Sequence, residues 1–257
     1  MLSNRLFRAG LQLATGLLAG LLLLFLAAMA REFISSPSLR PLDPKEIAFA
    51  VRLSLLTATC AATLAILLAI PIAYYLTRFN HRGRHLIDTL LDLPLVLSPI
   101  ALGAMILIFF HTGLGQLVAA GLGGVVFNVR GIVIAQFFVI IGLGIRQVKL
   151  AFEGVDPELE NIARTLGCSQ FQTFRRVALP LARRGLWSAL LLVWARAIGE
   201  FGATLTLAGA TPMKTETIPT AIYLSFATAD LRGAIALIFI LLLLSLSVLY
   251  ATRKLNR

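Results

Sequence analysis

Long runs without a charged residue constrain this chain more than any other feature. Residues 9–30 and 53–77 contain no Asp, Glu, Lys or Arg, and each is longer than the roughly 20 apolar residues that cross a membrane as a helix. Four further apolar runs, shorter or interrupted, follow. We therefore predict an all-α integral membrane protein with six transmembrane helices, over residues 9–30, 47–77, 87–110, 130–148, 185–210 and 232–252.

The composition agrees with a membrane protein. Hydrophobic residues make up 58% of the chain and charged residues 14%, against roughly 45–50% and 25% in soluble domains. One core of a 257-residue soluble fold could not bury this excess, which excludes an ordinary soluble domain. The net charge of +11 would indicate nucleic-acid binding in a soluble chain. Here the basic residues form short clusters between apolar runs, so we expect contact with lipid and none with nucleic acid.

The distribution of Lys and Arg predicts the orientation of the spans. Fifteen of the 23 lie on the side that holds both termini, and six lie on the other side. Because cytoplasmic loops carry the excess, we predict a multi-pass inner-membrane protein with both termini in the cytoplasm. Alternatively, residues 9–30 form a signal peptide that ends in Ala28-Met29-Ala30. This run of 22 residues is longer than the roughly 7–15 of a signal core, and its removal would leave an odd number of spans.

The cytoplasmic segment 151–183 has the clearest local pattern. It is too short to fold as a domain of its own. Asp156 suits a helix N-cap, and Gly167 suits the left-handed residue that ends a helix. Between them lie the residues with helical apolar spacing, which are Leu159, Ile162, Ala163 and Leu166. An apolar face on so short a helix predicts docking into a groove of a partner.

A second short helix is predicted directly after this turn. Ser169 and Gln172 have the spacing of a capping box, and Pro180 is expected to end the helix. The apolar side chains expected to share one face are Phe171, Phe174 and Val177. An alternative is that the whole segment lies flat on the membrane surface as an amphipathic loop.

This segment resembles the cytoplasmic loop of permease subunits of type I binding-protein-dependent ABC importers, whose pattern is E-A-A-x-x-x-G-x(9)-I-x-L-P. The matching residues are Ala163, Gly167, Leu179 and Pro180, with Val177 in place of Ile. Asn161 and Ile162 replace the first Glu and Ala, although Glu160 lies one position earlier. The resemblance implies a coupling helix seated in a cleft of an ATPase subunit. The coupling residues it implies are Leu159, Glu160, Ile162, Ala163, Arg164, Thr165, Leu166, Gly167, Phe171, Phe174, Leu179 and Pro180.

Three further stretches are similar to the molybdate, tungstate and sulfate subgroup of these permeases. They are residues 92–103 (DLPLVLSPIALG), 194–209 (WARAIGEFGATLTLAG) and 214–226 (KTETIPTAIYLSF). The resemblance covers about residues 50–250 and implies one permease domain over residues 1–257 that carries a tetrahedral oxyanion. It favours molybdate, with tungstate or sulfate as alternatives. The chain has no G-x-x-x-x-G-K-[ST] motif, so it is expected to be no enzyme and to bind no cofactor itself.

The same resemblance implies a set of partners. Two copies of an ATPase subunit would bind ATP and Mg, and a second copy of this permease would complete a homodimer. A periplasmic or lipid-anchored binding protein would deliver the oxyanion and provide the selectivity.

Two features indicate a translocation path. Arg196 lies about 18 Å into the fifth span, where a charge is costly, and Glu200 is its expected partner one turn later. The pair either lines or closes the path, or is a purely structural ion pair. Pro94 and Pro99 are expected to break the third span, as helices that line cavities often are. The residues assigned to the path are Pro94, Ser98, Pro99, Arg196, Gly199, Glu200, Gly202 and Thr204.

The remaining polar residues have simpler interpretations. Cys60 and Cys168 have no Cys/His neighbours, so no metal site is expected. His81 and His85 lie among arginines without the Glu of H-E-x-x-H and indicate a solvated basic loop. Arg52 is expected to reach the membrane interface.

Interpretations also follow for the ends of two spans and for one loop. Asp88 and Asp92 suit the helix N-terminus at the start of the third span. Arg130 and Arg146 would snorkel at the two ends of the short fourth span. The glycines of residues 113–124 indicate a flexible outer loop.

Two other classes of function remain as alternatives. A secondary anion transporter would need no ATPase and would show paired broken helices in inverted halves, which the sequence does not indicate. An intramembrane enzyme would need a metal motif or a nucleophile–base pair, and the sequence offers neither.

Overall fold

The computed structural model describes residues 2–35, 43–79 and 83–255, and within these ranges the chain is helical without strands. The α-helices are α1 (Leu2–Ser35), α2 (Pro44–Arg78), α3 (Arg84–Val96), α4 (Pro99–His111), α5 (Gly113–Gly121), α6 (Val129–Glu153), α7 (Pro157–Thr165), α8 (Gln170–Thr173), α9 (Leu179–Ile198), α10 (Gly202–Ala208), α11 (Ile218–Ala227) and α12 (Leu231–Leu255). A π-helical turn, Phe174–Ala178, joins α8 to α9.

Five helices of the described chain are long and apolar enough to cross a membrane. They are α1, α2, α6, the continuous helix Gln170–Ile198 and α12. The pair α3 and α4 makes a sixth crossing when it is counted as one span bent by 109°. The predicted all-α membrane class is therefore confirmed, and its six crossings include one sharply bent pair.

The core of the bundle forms around α2, which packs against α6 and α9. A stripe of small residues along α2 is completely buried: Ala58, Ala61, Ala62, Ala65, Ala69 and Ala73. In lipid the association of helices depends on close backbone approach, which small residues permit. By contrast, α1 contacts mainly α12 and exposes most of its leucines.

The third span is broken at Leu97 and Ser98, which have extended backbones. The Ser98 hydroxyl accepts a hydrogen bond from the Ala101 N–H at 3.3 Å and caps α4, which begins at Pro99. Pro94 does not break the chain, contrary to our expectation. It lies in the last turn of α3, where the Leu97 N–H still bonds the Leu93 carbonyl. The break occurs at Ser98 because a residue before proline is disfavoured in the helical conformation.

The fifth span differs from the predicted continuous helix 185–210. Its helix extends from Gln170 to Ile198, stops over residues 199–201 and resumes as α10. Glu200 favours the restart, because its carboxylate accepts a hydrogen bond from the Ala203 N–H at 3.0 Å. This bond satisfies one of the free donors at the start of α10.

Pro180 does not end the second cytoplasmic helix as predicted. The backbone widens into the π-helical turn just before it, where the Leu179 N–H bonds the Phe174 carbonyl five residues earlier. Proline normally clashes with the preceding turn and lacks an N–H for it. A π-bulge relaxes that turn, so the helix continues through Pro180 into the membrane.

At the opposite end of the bundle the chain folds back between α10 and α12. The Ile218 N–H donates to the Ser54 hydroxyl at 2.8 Å, about 15 Å along α2 from its start. Helix α11 therefore begins inside the bundle. The predicted flexible loop 113–124 is also partly wrong, since α5 forms there with Thr112 as its N-cap.

Candidate coupling segment and translocation path

The first helix of the coupling segment has the ends that the sequence predicts. The Asp156 carboxylate accepts a hydrogen bond from the Glu158 N–H at 2.9 Å. Gly167 has a φ of +92°, and the N–H of Cys168 bonds the Ala163 carbonyl at 3.1 Å. This is the paired C-terminal arrangement that favours glycine. The segment then turns sharply into α8.

The second helix begins with the predicted capping box. The Ser169 N–H donates to Gln172 Oε1 at 2.9 Å, and the Gln172 N–H donates to the Ser169 hydroxyl at 3.3 Å. The predicted start of the second helix is therefore confirmed.

An apolar surface, which we name the coupling knob, projects from these helices. Its members are Leu159, Ile162, Leu166 and Phe171, exposed by 44%, 55%, 80% and 68% respectively. Ala163 is half-buried beside it, and Arg164, Thr165, Arg175 and Arg176 are exposed around it. So large an apolar exposure on a polar segment is typical of a binding surface.

Phe174 does not share the exposed face with Phe171, contrary to the prediction. It is half-buried, with its ring centroid 4.7 Å from that of Tyr74 and 6.3 Å from that of Phe152. Phe171 and Phe174 are three residues apart and so about 60° apart around the helix, which is enough to turn the Phe174 ring inward while Phe171 stays exposed. Leu179 is half-buried and Pro180 exposed.

Glu160 points into the protein and not toward the coupling knob. Its Oε1 accepts a hydrogen bond from Arg78 Nε and its Oε2 accepts one from the Tyr74 hydroxyl, both at 2.8 Å. Arg78 also donates to the carbonyls of Phe152 and Val155. The Glu160 and Arg78 side chains are only 8% and 12% exposed. The buried pair therefore joins the coupling segment to the ends of α2 and α6.

Sequence reasoning missed the roles of Tyr74 and Arg78. The available signal was Arg78 directly after a long uncharged span, together with an acidic residue in the middle of the short cytoplasmic helix.

Two ion pairs join α3 to α6 near the same end of the bundle. Asp88 contacts Lys149 at 3.0 Å, and Asp92 contacts Arg146 at 2.7 Å. The expected helix-dipole role of these acids is wrong, because α3 has no acidic residue in its first turn. Arg146, predicted to snorkel, is instead paired with Asp92.

Arg196 and Glu200 form the predicted ion pair at the break of the fifth span. Arg196 Nη1 lies 2.7 Å from Glu200 Oε2, and the two side chains are 40% and 1% exposed. Glu200 is thus fully enclosed, whereas Arg196 faces the surface of the single chain. The ion pair lies at the interruption between α9 and α10.

The two broken spans meet at their breaks. A Cβ on Gly202 would lie 2.8 Å from Ile100 Cγ1 and 3.3 Å from Pro99 Cβ, and one on Gly103 would lie 2.7 Å from the Ala203 Cα. Such distances leave no room for a side chain. Helices α4 and α10 therefore start side by side, run in the same direction and touch through their backbones.

The other residues assigned to the path have varied surroundings. Ser98 and Gly199 are exposed, and Pro94 is half-buried. Thr204 is fully buried, and its hydroxyl has no hydrogen-bond partner. Gln136 was missed by sequence reasoning: it is 1% exposed, and its Nε2 donates to the Ala197 carbonyl at 3.2 Å beside the break. Its signal was an amide inside an otherwise apolar span.

The remaining predictions concern single polar residues. Arg52 and Cys60 are exposed on α2, and Cys168 is half-buried. Among the described residues no group of His, Cys, Asp or Glu could hold a metal ion. The backbone of His81 and the side chain of His85 lie outside the described residues.

Comparison with known proteins identifies the family. The family model described as the inner membrane component of binding-protein-dependent transport systems matches residues 61–257. A probable molybdenum ABC transporter permease protein of Haloferax volcanii is 39% identical over 232 residues, 88% of this chain and 84% of that relative. The molybdenum transport system permease protein ModB of Escherichia coli K12 is 37% identical over 177 residues, 68% of this chain and 77% of that relative.

A solved structure agrees at the level of the fold. A chain of a bacterial ABC transporter involved in the import of the acidic polysaccharide alginate matches with a TM-score of 0.75 and 19% identity. The match covers 100% of this chain and 98% of that one. The extent of the family match and the identity to two permeases lead to one conclusion. The chain belongs to the family of inner membrane components of binding-protein-dependent transport systems.

Proposed function

We propose that this chain is the permease subunit of an ATP-driven importer that carries molybdate across the inner membrane, with tungstate and sulfate as alternatives. The two sequence relatives described above are named as molybdenum permeases, which supports molybdate as the first choice. Two copies of the chain would form the path, and two ATPase subunits would bind ATP and Mg. A periplasmic or lipid-anchored binding protein would deliver the oxyanion, and both termini of the permease would lie in the cytoplasm.

The observation that carries this proposal is the coupling knob and its attachment. The knob exposes four large apolar side chains at the predicted cytoplasmic end. An apolar helix face of this kind binds in a groove, where its burial supplies the binding energy. A groove of the ATPase subunit is the partner that fits a chain of this family.

Movement of the ATPase subunits would reach the membrane through Glu160. Its carboxylate binds Arg78 and Tyr74 at the end of α2, and α2 packs closely on α6 and α9. Packed helices move as rigid bodies between discrete arrangements. When the ATPases close, the two coupling segments would move together and displace α2 with them.

The bent spans are the proposed gate. Helices α4 and α10 start next to each other at the two breaks, where a change of backbone angle needs no rupture of a continuous helix. Glu200 neutralises Arg196 there. A lone buried cation would bind a dianion too tightly for release. A neutralised pair therefore fits a path that the oxyanion crosses better than a site that holds it. Selectivity would then reside in the binding protein.

The paired broken helices also bear on the secondary-transporter alternative. That class was expected to show such pairs, and the structure contains one pair of broken spans, of which the sequence indicated only the break in the third span. Since α4 and α10 run in the same direction, the pair does not have the inverted arrangement of that class. It therefore gives the alternative no specific support.

The direct test is transport by the reconstituted complex. We expect proteoliposomes with the permease, its ATPase and its binding protein to take up labelled molybdate only with ATP, and we expect tungstate to compete better than sulfate. Uptake driven by an ion gradient without the ATPase would contradict the proposal.

Variants of the coupling knob test the docking step. Leu166→Asp should abolish co-purification of the ATPase, because a charge would enter an apolar groove. Leu122→Asp is the matched control, since Leu122 is exposed by 46% at the opposite end of the bundle. If Leu166→Asp retained the ATPase as well as the wild type does, docking would lie elsewhere.

A further inference from the structure

A cavity of about 230 Å³ opens at the end of the bundle opposite the coupling knob. It lies between the first turns of α2, the fold-back helix α11 and the start of α12. Its walls combine polar and apolar side chains, with Ile47, Leu224 and Leu237 among the apolar ones. In the proposed topology it faces the periplasm, and we name it the outer acidic cavity.

Four of the chain's twelve Asp and Glu residues line this one cavity, namely Asp43, Glu46, Glu216 and Asp230. Helix capping accounts for two of them. Asp43 accepts a hydrogen bond from the Lys45 N–H at 2.8 Å, and Asp230 accepts one from the Gly233 N–H at 3.1 Å. Glu46 lies in the first turn of α2, where an acid is also favourable.

Glu216 has no such role. It is only 9% exposed, it precedes α11 in the chain, and its Oε2 has no hydrogen-bond partner. Burial raises the pKa of Glu216, and the nearby charge of Glu46 raises it further, whereas a hydrogen bond from the Met213 N–H lowers it. No ion pair of the described residues involves any of the four carboxylates. Among the described residues only the Met213 N–H offsets part of the cost of burying this acid, and Glu216 Oε2 stays without a partner.

We propose that the outer acidic cavity receives a Lys or Arg side chain of the oxyanion-binding protein when that protein docks. A basic side chain has an apolar stem for the walls and a charged head for the carboxylates. This inference rests on the proposed function, because it needs a receptor that docks on this face.

Other occupants fit the cavity less well. The four acids are too dispersed for a shared cation, since no group of described residues could hold a metal ion. The amine of a lipid headgroup would approach from the side of the bundle. The caps Asp43 and Asp230 instead mark helix ends at the water side, which favours a ligand from solution. A receptor is the partner that approaches from there.

The test is receptor binding to the permease–ATPase complex in nanodiscs. Glu216→Gln should raise the dissociation constant of the binding protein about tenfold, because it removes the one buried carboxylate of the four, whose Oε2 has no other partner. Glu46→Gln, at a more exposed position, provides a second variant if Glu216→Gln assembles poorly, and it should weaken binding in the same direction. Glu32→Gln is the control, since Glu32 does not line the cavity.

The possible outcomes separate this inference from the function on which it rests. Equal affinity of the wild type and both cavity variants would overturn the role of the cavity and leave the importer intact. Failure of the binding protein to bind the wild type would overturn the proposed function and this inference with it. An effect seen only with phosphatidylethanolamine, and lost with phosphatidylcholine, would overturn it in favour of a lipid amine.

Discussion

Replacement of Glu160 by Gln should uncouple ATP hydrolysis from transport, because this residue joins the coupling segment to α2. The wild-type carboxylate accepts charge-assisted hydrogen bonds from Arg78 and Tyr74 at 2.8 Å. Removal of one member of a buried pair costs about 3–5 kcal/mol, since the other charge stays buried. Gln retains an oxygen that can accept one of the two bonds, and Arg78 keeps two backbone carbonyls. We therefore expect a loss of about 2–3 kcal/mol in the free energy that holds the segment in place.

Two measurements test this expectation. Thermal unfolding of the purified permease should show a lower Tm for Glu160→Gln, and a cycle with Tyr74→Phe should show non-additive losses. Proteoliposomes should show more ATP hydrolysed per molybdate taken up. Glu158→Gln is the matched control on the same helix, because Glu158 is exposed and its side chain makes no described contact with α2. An unchanged Tm and an unchanged ATP-to-molybdate ratio in Glu160→Gln would refute the reasoning.

Three further predictions follow from single residues. Gly167→Ala should destabilise the coupling segment by about 1–2 kcal/mol, because Gly167 has a φ of +92°, and it should reduce ATP-coupled uptake. Gly113→Ala is the control: Gly113 has an ordinary φ, so uptake should stay unchanged. Gln136→Leu should change the stability of the permease by less than about 1 kcal/mol, because the Ala197 carbonyl keeps the Glu200 N–H as a donor and Leu removes the buried Gln136 Oε1, which has no partner; an unchanged Tm would agree with this. Glu216→Gln should stabilise the isolated permease at neutral pH. The raised pKa of Glu216 means that the native state binds the proton more tightly than the unfolded state, so wild-type stability falls as pH rises through that pKa. With Asp43, Glu46 and Asp230 unchanged, the advantage of the variant in Tm should vanish below about pH 4.

Local features of the fold could be predicted because they depend on neighbours in the sequence. The caps Asp156 and Ser169 and the turn at Gly167 are determined within four residues. The same holds for the Arg196–Glu200 pair, since both residues lie one turn apart on the same stretch. Apolar length alone indicated the membrane class.

Long-range contacts could not be predicted from the same information. The direction of the Glu160 side chain depends on Arg78, which is 82 positions away in the sequence. The spacing of residues along α7 does not indicate this contact. A spacing of three residues is compatible with a shared face for Phe171 and Phe174, and only the packing of Phe174 against Tyr74, far away in the sequence, turns its ring inward. The contact between α4 and α10 requires both breaks to be at the same depth, which the sequence of either span alone does not specify.

The continuity of the helix from Gln170 to Ile198 has a consequence for the size of the motion. At 1.5 Å per residue its 29 residues form a rod of about 43 Å, with Phe171 near one tip and Arg196 near the other. A tilt of about 10° around its midpoint would shift both tips by about 4 Å in opposite directions. In the proposed importer such a tilt would turn a small approach of the two ATPase subunits into a shift of about 4 Å at the gate, without any helix having to unwind.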